Sequence, residues 1–175
     1  KPSSEVVLTD TRFEDFDLAP TILKGLNEAG FTQCTPIQAE TLPLALAGKD
    51  VAGQARTGTG KTAAFLLAIF KQLLSADSKG AGPNPRAIAI APTRELAIQI
   101  HHDAELLGKH TGLRFLLAYG GVDYVKQRDK ISDGVDVLIG TPGRLIDYLK
   151  QDIYSLKHIE VEVIARSRLA VDPGH

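Results

Sequence analysis

The sequence predicts an α/β domain: a doubly wound parallel sheet with helices on both faces. Three observations carry this. Short aliphatic runs, among them Ala87–Ala91 and Val135–Ile139, alternate with stretches of helical periodicity. A glycine-rich turn, Ala55–Thr62, lies between a predicted strand and a predicted helix. The length, 175 residues, suits one domain with a full core.

The elements follow in order. Residues 1–12 read as a flexible lead-in. Leu18, Ile22, Leu23 and Leu26 share a helical face, with Asp17 as N-cap and Gly30 as terminator. Thr35 caps a second helix, with Pro36 in its first turn and Gly48 at its end. Asp50–Gly53 reads as a strand, Gly60–Leu74 as a helix and Ser75–Pro85 as a loop. Strands are then expected at Ala87–Ala91, Leu113–Ala118, Val135–Ile139 and Ile159–Ile164. Helices are expected at Arg94–Lys109, Val122–Ser132 and Arg144–Lys150.

Composition narrows the class. Apolar residues make up 43% and charged residues 23%, ordinary values for a globular chain. No apolar run is long enough to span a bilayer, so no membrane partner is expected. The single cysteine, Cys34, excludes an internal disulfide framework and fits a cytoplasmic location. A net charge of −1 excludes nucleic-acid binding by bulk basicity. Any such binding must be local.

The turn Ala55-Arg56-Thr57-Gly58-Thr59-Gly60-Lys61-Thr62 has the spacing of a phosphate-binding loop, with alanine at the first glycine position. Its glycines let backbone N–H groups converge on phosphate oxygens, and the following helix directs its positive end there. Lys61 can reach the outer phosphates. The Thr62 hydroxyl can sit on Mg²⁺. Thr57, Gly58, Thr59, Gly60, Lys61 and Thr62 are therefore candidate nucleotide residues, with Lys61 and Thr62 the catalytic candidates and Thr62 the metal candidate.

Three further clusters each admit two readings. The Gln38 carboxamide offers a donor and an acceptor that match the N6/N7 edge of adenine, and Phe13 could stack on the purine. The same residues also fit a capped helix and a core aromatic. Pro92-Thr93-Arg94-Glu95 follows a predicted strand and would suit a phosphodiester at the strand's carboxyl end. It equally fits a helix start with Glu95 against the dipole. Gly120-Gly121 and Thr141-Pro142-Gly143-Arg144 follow strands too, and turn chemistry alone would explain them. Taken together, the clusters describe one surface of helix and loop starts suited to sugar-phosphate contacts, which are independent of base sequence. His101 and His102 are adjacent on a helix and make a poor metal pair. Lys126, Arg128 and Lys130 read as a solvated face.

In this order the Gln38 cluster, ARTGTGKT, PTRELA, Gly-Gly and TPGR closely resemble the first RecA-like domain of the DEAD-box ATP-dependent RNA helicases over residues 13–164. The resemblance implies ATP and Mg²⁺ as cofactors. Phe13 and Gln38 would read adenine. Pro92, Thr93, Arg94, Gly120, Gly121, Thr141, Pro142, Gly143 and Arg144 would grip single-stranded or short duplex RNA. It also implies a second RecA-like lobe, which this chain lacks. The spelling of the motifs is similar to a bacterial branch associated with RNA-degradation machinery. Cys34 stands where the family has proline, which leaves the backbone there less constrained.

The pattern breaks after Ile164. The family's Asp-Glu-Ala-Asp is replaced by Ala165-Arg166-Ser167-Arg168, the start of an atypical tail, 165–175. The acidic motif holds Mg²⁺ and orients the attacking water, so the isolated chain is expected to hydrolyse ATP very slowly. The alternative reading is a non-catalytic nucleotide- and RNA-binding module.

Overall fold

The computed structural model describes residues 7–47, 61–75 and 82–165. The expected strand at 50–53, the loop residues Thr57, Gly58, Thr59 and Gly60, and the tail from Arg166 lie outside the described residues.

Six α-helices and four strands are described: α1 Pro20–Glu28, α2 Pro36–Leu46, α3 Lys61–Leu73, β1 Ala87–Ile90, α4 Arg94–Leu107, β2 Phe115–Ala118, α5 Tyr124–Ser132, β3 Val137–Gly140, α6 Pro142–Lys150 and β4 Val161–Ile164. The strands form one parallel sheet in the order β2-β3-β1-β4. The expected α/β class is the observed one. Alternation along the strands sorts side chains to two faces. Ala87, Ala89, Val137 and Ile139 join α1–α4 in the larger core. Ile88 and Leu138 join Ile131, Leu145 and Tyr148 of α5 and α6 in a second core on the other face.

Several boundaries differ from expectation for local reasons. α1 starts at Pro20 rather than after Asp17, and Ala19 is its N-cap, extended at ψ 147°. Proline favours the first helical turn and disfavours helical backbone in the residue before it. Gly30 ends α1 as expected, at φ +84°. The N–H of Gly30 donates to Asn27 O and that of Phe31 to Leu26 O, so a Schellman motif fixes where Phe31 lies. Leu113 and Val135 stay outside the ladder, each directly after a left-handed glycine, Gly112 or Gly134.

The lead-in needs correction from residue 7 on. The Thr9 N–H donates to Cys34 O at 2.8 Å, and the Cys34 N–H donates to Thr11 O at 2.7 Å. The second bond uses an N–H that a proline at position 34 would lack. Residues 9–13 are thus stitched to Thr32–Cys34, and Phe13–Asp15 forms a 3₁₀ turn.

Opposite ends of the sheet do different work. At the amino edge, Arg86 is buried; it pairs with Asp136 at 3.0 Å and donates to Leu73 O at 3.1 Å. That bond pins the last turn of α3 to this edge. A 13-residue helix is about 20 Å long, so its first residues, Lys61 and Thr62, stand well away from that anchor.

Candidate nucleotide and nucleic-acid sites

Ile90, Ala118, Gly140 and Ile164 end their strands in mutual register. The segments that follow therefore leave the sheet at one level. Open parallel sheets bind ligands at this edge. The described residues form two candidate sites: a cavity lined in part by the first turn of α3, and a cluster at this edge.

The first is a cavity of about 530 Å³ whose lining includes Phe31, Thr35, Gln38, Thr62, Gln99 and Asp103. Its size falls within the range of about 300–1,000 Å³ usual for small-molecule sites. Thr35 accepts from the Gln38 N–H at 3.3 Å, and the Gln38 oxygen accepts from the Thr35 N–H at 2.9 Å. This is a capping box, and it anchors the carboxamide at the cavity wall. Gln38 is therefore both the capped-helix residue and a cavity residue.

Phe13 is elsewhere. It is 2% exposed, packs in the core with its ring centroid 6.1 Å from that of Phe31, and does not line this cavity. Phe31 is the aromatic that does. Sequence reasoning passed over Phe31 because hydrophobicity alone does not say which of two phenylalanines faces outward. Burial raises the pKa of the Asp103 carboxyl, with His102 acting weakly against it.

These residues suit an adenine nucleotide. An aromatic ring, Phe31, and a carboxamide, Gln38, line the cavity together with Thr62 in the first turn of α3. For Mg²⁺ the fit is poorer. Thr62 supplies a hydroxyl, but no group of three or more His, Cys, Asp or Glu side chains that could hold a metal occurs among the described residues. Mg²⁺ sites usually add one or two carboxylates to the substrate phosphates.

The second site is built around Gly120-Gly121. Arg94, exposed in the first turn of α4, donates from Nη1 to Gly120 O at 3.3 Å. Gly121 has φ +87°, and a Cβ there would collide with Arg94 Nη1. Arg144, in the first turn of α6, brings Nη2 to within 3.9 Å of where a Gly120 Cβ would lie. The structure thus brings Arg94, Gly120, Gly121 and Arg144 together. Thr93 accepts from the Leu96 N–H at 3.2 Å and acts as the cap of α4. Thr141 occupies the N-cap of α6 with no side-chain cap bond; its N–H donates to Ala118 O at 3.0 Å and fixes the turn. Pro92, Pro142 and Gly143 are exposed beside them. The first amide groups of each helix lack intrahelical partners and favour an anion.

A family model described as DEAD/DEAH box helicase matches residues 35–165. The chain belongs to this family. Among its relatives are proteins named ATP-dependent RNA helicase RhlB. That of Xanthomonas oryzae pv. oryzae is 57% identical over 98% of this chain and 30% of its own length. That of Pasteurella multocida is 55% identical over 95% of this chain and 40% of its own length. That of Vibrio atlanticus is 52% identical, over 95% and 39%. The chain spans about a third of these relatives. For this DEAD/DEAH family member, both sites just described lie inside or next to the matched segment, and the match ends at Ala165, where the acidic motif should begin.

Proposed function

We propose that this chain is the ATP- and RNA-binding N-terminal lobe of an ATP-dependent DEAD-box RNA helicase. One observation supports this above the rest: Arg94, Gly120, Gly121 and Arg144 converge at the carboxyl edge of the sheet, where α4 and α6 begin. In this reading Phe31 and Gln38 hold the adenine. Lys61, Thr62 and the loop residues Thr57–Gly60 hold the phosphates, with Mg²⁺ on Thr62. Thr93, Arg94, Gly121, Thr141 and Arg144 hold RNA sugar-phosphates. A second RecA-like lobe would close over both ligands and complete the enzyme, in the cytoplasm, with RNA-degradation proteins as candidate partners.

The isolated chain binds but does not turn over. Arg166-Ser167-Arg168 offers no carboxylate where water and metal must be oriented. The test is a titration of this chain with ATP and GTP, followed by RNA-stimulated phosphate release. Adenine preference with no turnover is expected. Equal affinity for GTP would overturn the adenine site, and turnover by the chain alone would overturn the inactivity.

A further inference from the structure

We infer that Gln127 positions Arg144 for RNA, acting through the guanidinium rather than on the nucleic acid itself. The inference rests on the RNA reading of the carboxyl edge.

Arg144 Nη1 carries two hydrogens, and both have partners. One goes to Gln127 Oε1 at 3.1 Å and the other to Tyr148 Oη at 3.2 Å. Arginine only donates, so it is the Gln127 oxygen that faces it. The Tyr148 hydroxyl donates onward to Tyr124 O at 2.8 Å. The guanidinium carbon also lies 5.0 Å from the Tyr124 ring centroid and 5.4 Å from that of Tyr148, within the range of a cation–π contact.

One end of the planar group is therefore fixed. The other end, Nη2 and Nε, makes no protein hydrogen bond among the described residues, and Nη2 lies beside Gly120. An arginine fork with one edge anchored and the other open suits two parallel bonds to a phosphate.

The composition of α5 supports the assignment. Its only buried residue is Ile131. Tyr124 and Gln127 stand seven and four residues before it, on the same helical face. Two of the three inward positions of α5 thus serve one guanidinium. A packing role alone would favour aliphatic side chains there.

The test compares Gln127→Ala, Arg144→Ala and the double variant of this chain. Binding of a labelled oligouridylate is followed by titration at several salt concentrations, and the Arg144 Nε–H signal is followed by nuclear magnetic resonance. Immobilising a side chain costs about 0.5–1.5 kcal/mol, so losing the anchor should weaken binding about 2- to 12-fold. Gln127→Ala keeps the charge, and its salt slope should not change. Arg144→Ala should lower the slope by about 0.7, the value for one contact to a single strand. The double variant should match Arg144→Ala. Gln127→Glu, which keeps the acceptor, should keep the Arg144 Nε–H signal that Gln127→Ala loses.

Equal losses from Gln127→Ala with and without Arg144 would overturn the inference, as would an unchanged affinity and Arg144 signal in Gln127→Ala. No loss in Arg144→Ala would overturn the RNA reading itself, and the inference with it.

Discussion

Gly121→Ala tests the geometry of the edge more sharply than loss of a charge would. Gly121 sits at φ +87°, a conformation that costs an ordinary residue about 1–2 kcal/mol. A Cβ there would also meet Arg94 Nη1 and displace the guanidinium from Gly120 O. The neighbouring Gly120 provides the control. A Cβ at Gly120 would find only Arg144 Nη2, at an ordinary contact distance of 3.9 Å.

A domain of this size loses about 2–4 °C of Tm per kcal/mol. Gly121→Ala should therefore lower Tm by about 2–8 °C. It should also weaken RNA binding, because Arg94 leaves its place. Gly120→Ala should lower Tm by about 2 °C or less. Circular dichroism melts and RNA titration of the two variants decide the matter. Equal effects at both positions, or a neutral Gly121→Ala, would refute the claim that the loop is shaped around Arg94.

Lys61→Ala should abolish measurable ATP binding while the fold is retained, read by nucleotide titration and circular dichroism. Asp136→Ala should be the severe change. It removes the carboxylate that pairs with buried Arg86 at 3.0 Å, and breaking such a pair costs about 3–5 kcal/mol, a Tm drop of about 6–20 °C; Glu14→Ala, at an exposed pair with Arg12, should be silent. Cys34 is fully buried, and desolvation, with a smaller effect from Asp15, pushes its thiol up to about 11 from 9.0. Because the folded value is the higher one, unfolding is favoured as pH rises from about 9 toward 11. Iodoacetamide at pH 8 should leave the native thiol unmodified and label it only in denaturant.

The sheet was legible because parallel strands buried on both faces read as short aliphatic runs, as in AIAI and VLIG. Strand starts were less so. Leu113 and Val135 are as apolar as ladder residues, but the left-handed turns at Gly112 and Gly134 delay pairing. The carboxyl edge was legible in outline, since helix starts after strands must share it. What the sequence hid was long-range. Thr9 meets Cys34 across 25 positions, and this pairing turns residues 7–12 from a free arm into part of the fold. The choice of Phe31 over Phe13 depends on a Schellman turn that places one ring and on a core that takes the other. Gln127 carried no motif that marked it, because its role exists only where α5 meets α6.

A chain of net charge −1 can hold a polyanion only by concentrating its positive ends. The fold does this by approaching one loop from both sides of the sheet. α4 packs on the face of the larger core, and α6 packs on the other. Yet both begin at the carboxyl edge, and Arg94 and Arg144, each in a first helical turn, meet at Gly120-Gly121. Two helix N-termini and two guanidinium groups therefore add at one point, while acidic residues elsewhere balance the total. Lack of a side chain at Gly121 is what lets Arg94 approach Gly120 O. In the proposed function, a second lobe docking at this edge would close over RNA held by both arginines.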